Sequence, residues 1–253
     1  MYVKLVVLTL VSVTTTACVS SGPGPRETNN EAASAYNLQL GIDYFRQGNL
    51  SQAKDKLDRS LEQNPRNAQA YVASGMLYDR LGELRKADQY FSKAADLDPR
   101  NGDVINSYAV FLCRKGDHAK GEQLALQAAA NPLYKTPEAA YFNAGNCALD
   151  GGRASKAEEY FRRALSLRPN FAAALLQMAE LEFKAGNHLP ARGFLERFQQ
   201  SARPTAASLW LLFRVEHALG NVGLSADYAR RLKQEFPTSF ETKALLEFEK
   251  GKP

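Results

Sequence analysis

Three cysteines and three histidines are the side chains of this 253-residue sequence best able to carry chemistry. Cys113 and Cys147 lie 34 residues apart, and Cys18 stands near the start. Sulfur can ligate a metal or pair with a second sulfur, but a metal site needs a third and fourth ligand at compatible spacing. None accompanies these cysteines. His118, His188 and His217 are scattered, and the first two stand at expected turns between helices. There is no Gly-rich phosphate loop, no nucleophile elbow and no helical His pair for zinc. Acidic pairs such as Glu158 and Glu159 fall on the solvent face of an expected helix. The expectation is therefore a non-enzymatic protein with no catalytic residues, no metal, no cofactor and no small-molecule substrate.

Apolar residues make up 45% of the chain and charged residues 23%, the balance of a folded protein and not of a disordered one. The formal net charge is +5, modest for this length, and both signs are interspersed. A nucleic-acid binder gathers its cations along one face, so no nucleic-acid partner is expected.

The elements that must position these residues form a repeat. Gly48, Gly82, Gly116, Gly152, Gly186 and Gly220 are separated by 34, 34, 36, 34 and 34 residues. Five residues beyond each stands a small one: Ala53, Ala87, Gly121, Ala157, Ala191 and Ser225. A third ladder runs through Pro65, Pro99, Pro132, Pro169, Pro204 and Pro237. The glycine ends the first helix of a pair, where the backbone must turn left-handed. The small residue lets the second helix approach closely. The proline stops that second helix. Between these marks the apolar residues keep helical spacing, as in Tyr71, Gly75, Tyr78, Ala87, Phe91 and Ala94, or Tyr141, Gly145, Ala157, Phe161 and Ala164.

This pattern resembles the tetratricopeptide repeat, a 34-residue helix pair. The first unit supplies Leu40, Gly41, Tyr44, Ala53, Leu57, Ser60 and Pro65. The resemblance implies an all-α fold: a tetratricopeptide repeat superhelix, a solenoid of six antiparallel helix pairs plus a C-terminal capping helix. The units run 34–67, 68–101, 102–137, 138–171, 172–205 and 206–237. Residues 238–253, with Leu245, Leu246 and Phe248, would cover the last apolar face. The fifth and sixth units carry Ala179 and Phe213 where the family has Gly. The third unit has two extra residues near Asn131 to Thr136, expected as a loop.

Stacked helix pairs curve, and their first helices line the hollow side. The resemblance implies that positions two, five, nine, twelve and thirteen of each unit face inward. The expected partner-binding groove then comprises Leu38, Ile42, Phe45, Arg46, Val72, Met76, Arg80, Asn106, Phe142 and Asn146. Its amino-terminal part is apolar with Arg46 and Arg80 at the edge, which suits an extended or helical peptide. The alternative for any one of these side chains is packing against the preceding helix. Family members that clamp a terminal carboxylate use Lys and Asn where Leu38 and Ile42 stand here. An unpaired buried carboxylate is costly, so that mode is disfavoured.

Lys4 and the apolar run Leu5 to Val13 read as an export signal, about half the ~20 residues of a membrane-spanning helix. Thr15-Thr16-Ala17-Cys18 resembles the cleavage box of bacterial lipoproteins, with Thr15 in place of the usual Leu. That resemblance implies a signal peptide over 1–17, lipidation of Cys18, and a flexible tether completing 18–33. Val19 after the cysteine favours the Gram-negative outer membrane. An unlipidated removable signal, or a cytosolic chain with an apolar first helix, are the other readings. In the oxidising periplasm, Cys113 and Cys147 would sit on the first helices of neighbouring units and form a disulfide. Two buried thiols packing as small hydrophobes is the alternative.

Over nearly the whole chain the sequence is similar to type IV pilus biogenesis lipoproteins of the PilF/PilW type, often called pilotins. The similarity is carried by Ile105-Asn106-Ser107-Tyr108 with Phe111-Leu112, and by Met178 to Leu181 running to Pro190-Ala191-Arg192. Leu209-Trp210-Leu211 and Phe236-Pro237-Thr238-Ser239 with Glu241 add to it. It implies a scaffold on the periplasmic side of the outer membrane, held by its lipid. Its partners would be the outer-membrane secretin or other type IV pilus components, in support of biogenesis, fibre stability or secretin assembly. A periplasmic adaptor for another envelope machine, such as cell-wall synthesis, and a ligand-binding or catalytic protein are the competing readings.

Overall fold

The computed structural model describes residues 25–251, so Cys18 and the expected signal peptide lie outside the described residues. Among the described residues the chain is helical throughout, with no strand. The helices are α1 (Pro25–Arg46), α2 (Leu50–Gln63), α3 (Ala68–Arg80), α4 (Leu84–Leu97), α5 (Gly102–Lys115), α6 (His118–Ala130) and α7 (Pro137–Asp150). They continue as α8 (Ala154–Leu167), α9 (Ala172–Lys184), α10 (His188–Ser201), α11 (Ala206–Ala218), α12 (Val222–Glu235) and α13 (Phe240–Lys250). Each odd-numbered helix up to α11 packs on the helix that follows it, each pair stacks on the next, and α13 closes the array against α11 and α12. This is a tetratricopeptide repeat superhelix.

The turn within each pair has one chemistry. All six glycines of the first ladder have positive φ, from 75° to 96°. At Gly116 the backbone N–H donates to the Cys113 carbonyl at 3.0 Å, and the next N–H, from Asp117, donates to Leu112 at 2.9 Å. These bonds satisfy carbonyls that the helix end would otherwise leave bare, and the left-handed residue they need is costly for anything but glycine. The turn between pairs holds the proline, and in three of the five such turns a side-chain cap follows it. Asn67 accepts from Ala70 N, Asn101 from Asp103 N and Val104 N, and Thr205 forms a reciprocal cap with Ser208.

Inside four of the six pairs a small residue on the first helix meets a large one sixteen positions later, while the third unit sets Ala109 against Ala125. A Cβ on Gly41 would lie 2.8 Å from the Leu57 side chain, and one on Gly75 2.9 Å from the Phe91 ring. On Gly145 it would lie 2.4 Å from Phe161. The same pairing explains the two departures from the family pattern. In the fifth unit the second-helix residue is Leu195, slimmer than Phe, and Ala179 fits opposite it. In the sixth the sizes are exchanged: Phe213 packs in one cluster with Ala229. Fully burying a side chain such as Phe91 contributes about 1.5–3 kcal/mol, so each unit with a Leu or Phe at this register gains one such anchor.

Two places differ from regular repetition. Residues 25–33, expected within the tether, are the first turns of α1. Glu31, Ala32 and Ala33 are good helix formers, and Ser34 pins the helix from within the core. Ser34 is fully buried and donates to the Ser60 carbonyl at 2.8 Å, Ser60 Oγ donates to the Ser34 carbonyl at 2.9 Å, and Asn67 Nδ2 donates to Ser34 Oγ at 3.1 Å. A helix nucleated there propagates upstream at little cost. The two extra residues of the third unit lie in the connection from α6 to α7, whose Tyr134 is buried with Ile105, Ala128 and Ala140. There α6 packs against α7 nearly as extensively as against its own partner α5.

Candidate groove on the inner face

The first helices α1, α3, α5, α7 and α9 present three connected hollows on the inner side. One, of about 300 Å³, is lined by Ile42, Phe45, Arg46, Val72, Ala73 and Met76 among others. The next, about 510 Å³, shares Phe45, Met76 and Ser107 with it and adds Asp79, Arg80, Asn106, Val110 and Arg114. The third, about 450 Å³, shares Val110 and Arg114 and continues to Asn143, Asn146, Leu149 and Gln177. Stacking in register gives this continuity: each first helix offers the same face to the same side.

Of the ten residues expected to line the groove, Ile42, Phe45, Arg46, Val72, Met76, Arg80, Asn106 and Asn146 border these hollows. Met76 is 40% exposed, whereas Val72 is 6% exposed and belongs largely to the core. Leu38 and Phe142 lie elsewhere. Leu38 packs against the cluster of Ala53, Leu57 and Leu77. Phe142 sits between Phe161 and Phe171, with ring centroids at 5.6 and 5.2 Å. Both occupy position five of their unit. Position six lines the groove as well, through Ala73, Ser107, Asn143 and Gln177 in four consecutive units. The signal was in the sequence: those four are small or polar at one register, while position five includes Leu38, Val72 and Phe142.

The charges along the groove are unevenly matched. Arg114 pairs with the largely buried carboxylate of Asp79 across α3 and α5. Arg46 has Asp43 at 3.8 Å. Arg80 is exposed with no carboxylate beside it among the described residues. Farther along, Asn143 Nδ2 donates to Asn106 Oδ1 at 3.1 Å. Arg214 donates to Glu180 at 2.7 Å while lying over the rings of Phe183 and Trp210.

Cys113 and Cys147 are joined as a disulfide, Cα to Cα 5.2 Å, and Cys113 reaches the third hollow. It ties α5 to α7 just where the repeat length changes. Beside it, the buried carboxylate of Glu122 is held by Arg153 at 2.5 Å and accepts from the Tyr160 hydroxyl at 2.7 Å. Burial, followed by that bond to a carboxylate, pushes the Tyr160 phenol up to about 12. Burial likewise raises Tyr90 to about 12. Among the described residues no group of three or more His, Cys, Asp or Glu is placed to hold a metal ion. None of the described helices is long and apolar enough to cross a membrane.

Paired helices, left-handed glycines at the inner turns and a continuous inner groove define a tetratricopeptide repeat protein. Profiles of that repeat match residues 38–102, 112–174 and 148–222. The chain is 33% identical over 245 residues to the type IV pilus assembly protein PilF of Pseudomonas aeruginosa, covering 95% of this chain and 97% of that one. A solved structure of P. aeruginosa PilF superposes with a TM-score of 0.76 at 31% identity, covering 88% of this chain and all of the other. The crystal structure of PilW, described as a widely conserved type IV pilus biogenesis factor, also gives 0.76, at 29% identity over 84% of this chain and 98% of that one. The chain therefore belongs to the family of type IV pilus biogenesis tetratricopeptide repeat proteins that includes PilF and PilW.

Proposed function

We propose that this protein is an outer-membrane lipoprotein, anchored through Cys18 and facing the periplasm. Its repeat groove binds protein partners in support of type IV pilus biogenesis, fibre stability or secretin assembly. The observation that carries this reading is the unbroken groove from α1 to α9, on a chain related over 95% of its length to PilF. The part between α1 and α5 is apolar at its floor and charged at its edge, as a protein ligand requires. The role is that of a scaffold, which holds other chains in place and carries out no reaction. Lipidation would bring several acyl chains to Cys18, and more than one chain is needed for stable anchoring.

Recovery of the protein from membranes with its bound partners is the test. Co-purification of secretin or pilus-system subunits is expected, and cell-wall enzymes in their place would assign it to another envelope machine. Deleting the gene should reduce surface pili; normal piliation would overturn the pilus role. Cys18→Ala should release the protein from membranes, and persistent association would contradict the anchor.

A further inference from the structure

The groove holds a charge that the fold does not use. Across the two amino-terminal hollows Arg46, Arg80 and Arg114 face a single lining carboxylate, Asp79, which Arg114 already occupies. Arg80 stands exposed one helical turn from Met76, in a hollow that Phe45, Phe91, Val110 and Phe111 line together with the polar Asp79, Asn106, Ser107 and Arg114. A guanidinium in that position is suited to bind a carboxylate with two parallel hydrogen bonds. The third hollow is different in kind. It is bordered by the side-chain amides of Asn143, Asn146 and Gln177, with Arg114 and the Asp150 carboxylate also on its lining and Asn106 bonded to Asn143 at its entrance. Each amide both donates and accepts. A bound helix has its backbone groups paired internally and would offer these amides side chains only. An extended chain offers free N–H and C=O groups at regular intervals.

We propose that the groove takes an extended segment of a partner protein bearing apolar side chains and an acidic one. The apolar side chains seat against Ile42, Phe45 and Met76, the carboxylate meets Arg80, and the backbone runs on over the amides of α7 and α9. This rests on the groove being the partner site.

The probe is a library of random twelve-residue peptides displayed on phage and selected on the full chain in detergent. Apolar peptides with Asp or Glu enriched at a fixed spacing are expected. Selection on Arg80→Glu should lose that enrichment and favour Lys or Arg. The best wild-type peptide should bind Arg80→Glu about tenfold more weakly. N-methylation of one backbone amide beyond its acidic residue should weaken it by a similar factor. Peptides that still bind the Ile42→Asp, Met76→Asp variant would show that the groove is not the site and overturn the underlying reading. Peptides lost with that variant but lacking acidic enrichment, or tightened by a helix-stabilising crosslink, would overturn this proposal and leave the groove standing.

Discussion

A Cβ placed on Gly121 would stand 2.5 Å from the sulfur of Cys113, and 2.9 Å from both the sulfur of Cys147 and the Ala109 carbonyl oxygen. The other five units carry Ala or Ser at this register. In the third unit the disulfide fills the space a methyl group would need. The glycine and the two cysteines are one packing solution: α6 approaches α5 and α7 because it has nothing there to displace.

Gly121→Ala should therefore destabilise the protein by about 1–3 kcal/mol, the usual cost of overpacking a tight core. Thermal denaturation would show it. In a Cys113→Ala, Cys147→Ala background the penalty should shrink, giving a positive coupling in a double-mutant cycle. Equal penalties in both backgrounds would refute the steric account.

Reducing the disulfide should lower stability by about 3–4 kcal/mol in the chain-entropy model, since the linked cysteines are 34 residues apart. The midpoint of guanidinium unfolding, with and without reductant, measures this. An unchanged midpoint would mean that the pair is not formed in the native protein.

The close approach of Gly75 to Phe91 makes two opposite errors costly. Phe91→Ala should lose about 3–5 kcal/mol, because the glycine across from it cannot fill the void. Gly75→Ala should lose about 1–3 kcal/mol, because the ring 2.9 Å away is buried and has nowhere to move. Combining Gly75→Ala with Phe91→Leu reproduces the Ala179–Leu195 pair and should recover part of the loss. A loss equal to the sum of the two single changes would refute the size-pairing rule.

Alkali should weaken the fold over a defined window. Tyr160 and Tyr90 keep their protons up to about pH 12 when folded, against 10.0 for an ordinary phenol. A group with a raised folded value contributes its full stability below the unfolded value, and loses it as pH rises through the folded one. Stability should fall between about pH 10 and 12, and Tyr160→Phe should flatten that slope. A Tyr160→Phe profile parallel to wild type would contradict the raised Tyr160 value that burial and the Glu122 bond produce.

The family's architecture was legible in the sequence because each ladder reports a local demand. Gly48 and its five counterparts mark left-handed turns, and the prolines mark helix ends, whatever lies next to them in space. The groove was legible in outline for the same reason, since register fixes which helix face points inward. Its detailed lining was not. Position five turned Leu38 and Phe142 into the core, and position six supplied Ala73, Ser107, Asn143 and Gln177. That choice depends on how far each first helix is rotated against its neighbours.

The sequence by itself determined the helix pairs, their number and their order, because turns and helix ends are set by nearby residues. Tertiary structure alone decided that Ser34 anchors a longer first helix, that Gly121 makes room for the Cys113–Cys147 pair, and that Arg80 has no carboxylate partner among the described residues. Each of these depends on side chains distant in sequence meeting at a few ångströms. The period of a repeat does not specify that distance; the packing of one helix pair on the next does.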